Sequence, residues 1–223
     1  DAVLTTRELG DMVKAMGINF HGLPEESFDD PMGFSTGAAD IFGVTGGVME
    51  AALRTVYEII TGRELPFPNL HVSPIVGLEE IKEATIKLEN VKPEWRAAEG
   101  FEVKIAVTSG FAGARKLMDQ IRNGTSPYHF IEVMGCPGGC ITGGGQPRPQ
   151  ENIEIVRQKR MEALYGEDER KTVRKSHENQ SLMHFYKEWG GPGCHASHEY
   201  LHTHYVKRGK YNELTNENFV VDK

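Results

Sequence analysis

The sequence predicts an α/β fold, with a mixed, mainly parallel sheet flanked by helices. Three stretches predict it. Phe101–Ser109 (FEVKIAVTS) is the clearest strand, Ala114–Arg122 reads as a helix entered through a Gly110–Gly113 turn, and His129–Gly135 reads as another strand. Strand, helix and strand in that order make a right-handed parallel unit within an α/β layer. Sheets of this kind place ligands at the carboxyl ends of their strands. The most unusual part of the chain, Cys136–Pro147, begins at such an end.

The other elements follow in chain order. Asp1–Thr6 (DAVLTT) reads as a strand, and Arg7–Met16 as a helix with Leu9, Met12, Val13 and Met16 on one face. His21–Gly37 is a long loop. Ile41–Ile60 opens on glycines, becomes helical and ends at Thr61–Gly62. Glu64–Gly77 is proline-rich and irregular. Ile81–Glu89 is an edge strand whose Ala84, Ile86 and Leu88 alternate with charge. After Pro149, Glu151–Tyr165 reads as an amphipathic helix, Arg170–Lys175 is basic, and Ser176–Tyr205 is a His-, Gly- and aromatic-rich arm. The predicted parts are therefore residues 1–150 and 151–223. Met12, Met16 and Met49 are expected in the core, and Glu151–Glu154 and Glu167–Glu169 on solvated faces.

The 223 residues are 39% hydrophobic and 26% charged, enough to bury a core. The formal charge of −7 argues against a general binder of nucleic acid or anionic membranes. No apolar run approaches the roughly 20 residues of a membrane helix. Three cysteines make no disulfide framework, so a reducing interior is expected. Cytoplasm is the default and the periplasm stays open. The first residues resemble neither a signal nor a transit peptide. The absent initiator methionine points to a processed or truncated polypeptide.

Cys136 and Cys140 lie four residues apart in a loop of glycine and proline that a strand enters directly. Thiolates are soft ligands for iron–sulfur clusters, zinc or Cu(I). Glycines let backbone N–H groups approach an anionic sulfur closely, and Pro137 stiffens the loop. A cubane cluster needs four thiolates and a structural zinc four ligands, but this loop supplies two. The remaining ligands then lie on another polypeptide or on a missing part of this one. Plain structural cysteines are the bland alternative. Cys194 with His195, His198, His202 and His204 offers a zinc alternative. The turn Ser109–Gly113, and Gly43, Gly46 and Gly47, could cradle phosphate, though tight turns and close packing explain them as well.

Glu132–Pro147, with the pattern E-x-M-x-C-P-G-G-C-x-x-G-G-G-Q-P, resembles the third cluster-binding motif of the iron-only ([FeFe]) hydrogenases. Thr5–Leu9 (TTREL), Ser35–Thr55, Ser176–Asn179 (SHEN) and His198–Tyr205 (HEYLHTHY) resemble further blocks of that family. The resemblance covers nearly the whole chain. Its first two motifs, TSCxPGW and MPCxxK, are absent here. The chain thus looks like the C-terminal part of the catalytic domain, one lobe of a two-lobed domain plus a C-terminal wrapping arm.

The resemblance implies reversible oxidation of H2, or proton reduction, at an H-cluster: a [4Fe-4S] cubane joined to a diiron subsite carrying CO, CN⁻ and a dithiolate. It makes Cys136 and Cys140 metal ligands, with Cys140 bridging to the diiron unit. Met134, Phe42 and Gly43 would line the cofactor. Gly135 and Val44 stand where the family usually has Ala, and Val44 is expected to add bulk at the pocket wall. The implied partners are the missing N-terminal portion or a companion chain with two more cysteines, a carrier such as ferredoxin or NAD-linked subunits, and maturation proteins. The isolated chain is expected to be inactive. A non-turnover relative, an H2 sensor or iron–sulfur assembly-type protein, is the second reading. A nucleotide-binding module is a third and leaves the cysteine loop unexplained.

Overall fold

The computed structural model describes residues 3–26, 34–77, 79–191 and 193–203. Asp1 and Ala2 of the expected first strand, residues 27–33 of the long loop, and His204 and Tyr205 of the arm lie outside the described residues. Two compact units are present, Asp1–Ser181 and Leu182–Lys223.

The first unit opens with helix α1, Thr6–Ala15. Thr5 and Glu8 form its capping box: the Thr5 hydroxyl accepts from the Glu8 amide at 3.3 Å, and the Glu8 carboxylate accepts from the Thr5 amide at 2.7 Å. The expected strand fails for this reason. Thr5 is extended because it is an N-cap, and residues 3–5 pair with no ladder. No residue of α1 is buried, and Met16 is 71% exposed. Met12 and Met16 are therefore not core residues, because nothing described covers their face.

A short helix α2, Gly37–Asp40, and a 3-10 turn, Ile41–Gly43, lead into α3, Gly47–Thr61. Gly47 packs on the Ile41 carbonyl where a Cβ would clash. Gly62 ends α3 in the left-handed region at φ +71°, as a C-terminal glycine does. Three strands form one sheet in the order β1-β2-β3: Ile81–Lys87, Glu102–Ser109 and Phe130–Met134. Helix α4, Phe111–Arg122, links β2 to β3, which run parallel with Ser109 beside Met134. The parallel unit is thus present. The sheet as a whole is less parallel than expected, because β1 runs antiparallel to β2. Leu88 pairs with Phe101 and Gly100, and the connection between these strands carries a 3-10 helix, Pro93–Ala98.

Met49, Leu53 and Tyr57 of α3 pack with Ala84, Ile86, Ile105 and Val107 of the sheet, and Val72 and Ile75 of the proline-rich segment close this core. A second core joins Ile41 and Val44 to Ile141, Met161 and Tyr165. It brings helix α5, Ile153–Arg170, against the segment after Cys140. Helix α5 departs from expectation. Its first turns expose Ile153 and Ile155, its buried stripe is Met161, Tyr165 and Asp168, and it continues five residues past Tyr165 to Arg170.

Asp168, read from sequence as solvated, is completely buried. Its carboxylate accepts from the equally buried Arg54 at 2.8 and 2.7 Å and from Arg174 at 2.7 Å. Arg54 also donates to Glu50 at 2.7 Å. His71 stands between Glu50 (3.0 Å) and Glu169 (2.9 Å). Burial disfavours its imidazolium, but the two carboxylates outweigh this and raise its pKa.

The second unit is Leu182–Lys223. Its described residues include most of α6 (Gln180–Trp189) and all of α7 (His195–Leu201). Trp189 packs on Phe185 at 4.2 Å and on Tyr200 at 5.6 Å.

Two outcomes follow from the buried network. Asp168→Asn, which leaves Arg54 underneutralised in the interior, should cost about 3 kcal/mol, read as a lower midpoint in denaturant unfolding of the complete protein. The raised His71 pKa contributes stability that is fully present below the unfolded histidine value of 6.5 and is lost as pH rises through the higher folded value. His71→Gln should flatten that part of the stability–pH profile.

Candidate metal centre

Strand β3 ends at Met134, and the chain enters the cysteine loop at Gly135. Two consecutive turns shape it. The Gly139 amide donates to the Cys136 carbonyl at 2.9 Å, and the Gly143 amide donates to the Cys140 carbonyl at 3.0 Å. Gly138 and Gly139 have φ of +84° and +99°, a region that favours glycine. Gly139 has a second requirement. A Cβ there would lie 2.7 Å from the Gly43 carbonyl oxygen and 2.8 Å from the Thr45 nitrogen.

The loop is held from three sides. The Ser109 hydroxyl at the end of β2 accepts from the Gly138 amide at 2.9 Å. The Thr45 amide donates to the Gly138 carbonyl at 3.3 Å. From α5, Arg160 donates to the carbonyls of Ile141 (2.6 Å) and Pro147 (2.9 Å).

Both Cys136 and Cys140 are free thiols exposed at the surface. They share a mostly apolar pocket of about 380 Å³ with Met134, Val48 and Glu132. Phe42 is 47% exposed on the turn before α3 and does not line that pocket. Gly43 stands behind the loop, between Leu164 and Ile141, where a side chain would meet Leu164 at 2.8 Å. Val44 does not reach the pocket wall. It is buried in the second core beneath the loop, and the expected effect of its bulk on the pocket is not borne out. Gly135 has open space where a methyl group would stand.

Glu132 is a site residue whose role the sequence did not disclose. Its side chain is buried, and its two oxygens accept from the amides of Gly46 (2.6 Å) and Met49 (2.7 Å). It therefore caps the N-terminus of α3 from strand β3, where a carboxylate is favoured. Burial raises its pKa, against the pull of those two amides and of Lys82. Lys82, also buried, donates to the carbonyls of Thr45 (2.9 Å) and Gly77 (2.8 Å), and burial pushes its pKa down to about 8. A charged residue sharing a strand face with Met134 was the available signal for Glu132. Nothing local marked Arg160 or Ser109.

Elsewhere, Glu50, His71 and Asp168 converge, but the Arg54 guanidinium already stands among them. Glu58, His177 and Glu178 converge likewise, and the Lys175 ammonium pairs with Glu58 at 2.7 Å and Glu178 at 2.8 Å. The zinc alternative gains no support among the described residues. Cys194 serves as the N-cap of α7, its sulfur accepting from the Ser197 amide at 3.4 Å. The His198 and His202 rings lie 4.9 Å apart, and no third ligand joins them among the described residues. The turn at Ser109–Gly113 serves the cysteine loop: the Gly110 amide donates to the Met134 carbonyl at 2.8 Å. No described helix is long and apolar enough to cross a membrane.

Comparison with known proteins gives this geometry a family. Residues 1–144 match the model for the iron only hydrogenase large subunit, C-terminal domain, and residues 151–208 match that for the iron hydrogenase small subunit. A NADP-reducing hydrogenase subunit of Solidesulfovibrio fructosivorans is 47% identical over 93% of this chain and 33% of that protein. The periplasmic [Fe] hydrogenase large subunit of Nitratidesulfovibrio vulgaris is 50% identical over 66% of this chain and 32% of that protein. A cytosolic Fe-S cluster assembly factor of Danio rerio is 32% identical over 58% of this chain and 32% of its own length. A solved [FeFe]-hydrogenase from Chlamydomonas reinhardtii superposes with a TM-score of 0.73 at 41% identity, over 92% of this chain and 55% of that one. The chain spans about a third of the length of the Solidesulfovibrio and Nitratidesulfovibrio hydrogenase subunits and 55% of the solved Chlamydomonas chain. With a family model covering residues 1–144 and a solved relative sharing its fold, the chain belongs to the iron-only ([FeFe]) hydrogenases, as part of the C-terminal region of their catalytic protein.

Proposed function

We propose that this chain supplies two of the cluster cysteines of an [FeFe] hydrogenase that oxidises H2 or reduces protons. The observation that carries this reading is the pair of free, exposed thiols at the carboxyl end of β3, opening onto an apolar pocket. The residues suit an anionic iron–sulfur group. Two soft donors stand on a loop whose left-handed glycines and open space at Gly135 and Gly144 leave room around the sulfurs. When bound, the H-cluster supplies the electron transfer and the splitting or formation of H2.

In this reading Cys136 and Cys140 would hold the cubane, and Cys140 would also serve the diiron subsite. Met134 offers a polarizable apolar wall that excludes water. Phe42 and Gly43 belong to the turn before α3, which reaches the loop where the Gly43 carbonyl packs against Gly139, a residue with no side chain in the way. Glu132, Ser109 and Arg160 orient the loop without touching the reaction. Two thiolates do not complete a four-thiolate cubane site, so an N-terminal portion or companion chain supplies the other two. The exposed apolar face of α1 is consistent with such a neighbour. Residues 1–150 would form the second lobe of the catalytic domain, and 151–223 its C-terminal helix and docking arm. This division is supported by where the two family models stop and start.

Ferredoxin or NAD-linked subunits are the proposed electron partners, the latter supported by the NADP-reducing relative. Maturation proteins would install the diiron subsite. A reducing cytoplasm is the proposed compartment, although one relative is named periplasmic. Likeness to assembly factors supports a second, non-turnover reading, at lower identity than the hydrogenases.

Infrared spectroscopy of the complete, maturase-exposed protein, purified without oxygen, should show sharp bands in the carbonyl and cyanide stretch window. A blank window in iron-replete protein would favour the non-turnover reading. Cys136→Ala and Cys140→Ser should each reduce hydrogen turnover of the complete protein to background, and turnover near wild type in either would overturn the ligand assignment. The isolated chain should show no turnover after the same maturation.

A further inference from the structure

We propose that Arg157 holds its positive charge against the cysteine loop and raises the reduction potential of the iron–sulfur cluster carried there. This inference rests on the cluster reading given above. Arg157 comes from the segment that matches the small-subunit family model, and it reaches Gly138, midway between Cys136 and Cys140. A Cβ at Gly138 would lie 2.6 Å from Arg157 Cδ and 2.7 Å from Nε. Gly138 is therefore required twice, for its φ of +84° and for the approach of this side chain.

The charge of Arg157 is poorly solvated. Its side chain is only 14% exposed, and its Nε–H is buried with no hydrogen-bond partner among the described residues. Its ion-pair partner is different. Glu154, which accepts from Nη1 at 2.8 and 3.0 Å, is 59% exposed. Water screens the carboxylate more than the guanidinium, so the pair leaves a net positive field at the loop. A positive field stabilises the more negative, reduced form of a thiolate-ligated cluster, and local charge is one of the means by which proteins set such potentials. One turn further along α5, Arg160 holds the Ile141 and Pro147 carbonyls. The same helix thus both clamps the loop and charges it.

The test is a redox titration of the cubane by electron paramagnetic resonance in the complete, iron-loaded protein. Arg157→Gln should shift the midpoint potential negative, Arg157→Lys should keep it near wild type, and Glu154→Gln should shift it positive. Midpoints unmoved in both Arg157→Gln and Glu154→Gln would overturn the proposal and leave Arg157 a structural clamp. A purely structural role would also make Lys fail alongside Gln, whereas charge retention separates them. If Arg157→Gln does not load iron, the sign of the shift in the surface variant Glu154→Gln decides. A wild-type protein that carries no cubane signal would instead remove the cluster reading itself, and this inference with it.

Discussion

The buried carboxylate of Glu132 is the interaction on which the surroundings of the cysteine loop depend. One oxygen accepts from Gly46 and the other from Met49, at 2.6 and 2.7 Å. Those amides belong to the free N–H groups that any helix presents at its start. Their partner lies 86 residues from Gly46 in sequence, on the strand that leads into the loop. One side chain therefore sets the position of β3 relative to α3. The glycine-rich approach to α3 is then brought against Gly138 and Gly139, where carbonyl and amide groups meet with no side chain between them. Lys82 braces the same approach through the Thr45 and Gly77 carbonyls, and its burial next to Glu132 keeps two opposite charges together inside.

A second ionic cluster fixes the rest of the first unit. Arg54 of α3 meets Asp168 of α5, and Arg174 covers Asp168 from the other side. A buried ion pair is weak evidence of net stability against an apolar alternative. Its directional hydrogen bonds nevertheless specify one arrangement of α5 over α3. That arrangement matters for the loop, because α5 carries Arg157 and Arg160. A helix joined to the loop only by a short polar connection would otherwise have several ways to lie on it. The second core beneath Ile141 supplies the apolar half of the same contact.

The cysteine loop itself combines rigidity with open space. Its backbone is tied to β2 by Ser109, to the turn before α3 by Thr45 and to α5 by Arg160. Its two thiols remain free and exposed. Ligands held this way need little reordering on binding, which is the usual advantage of a preorganised site. On α1, Leu9, Met12 and Met16 form an exposed apolar stripe with no partner among the described residues.

Much of the fold was legible in the chain. The alternation Ala84, Ile86, Leu88, the buried run of β2, the parallel unit through α4 and the C-terminal glycine of α3 are local signals, and the structure contains them all. The cysteine motif and its family were legible for the same reason: glycine, proline and thiol spacing is written in adjacent residues. Errors arose where a local pattern has two meanings. An extended Thr5 is both strand-like and a helix cap, and Met12 and Met16 have core spacing whether or not a neighbour exists. Asp168, Glu132, Arg157 and Arg160 look like surface charges in any short window. Their roles are set by partners dozens of residues away, apart from Arg157 and Arg160, whose loop contacts lie within about one helix length of sequence. By itself the sequence determined the elements and the identity of the thiol loop. Only the tertiary structure decided which charges are buried against which, because desolvation and long-range pairing exist only once distant segments meet.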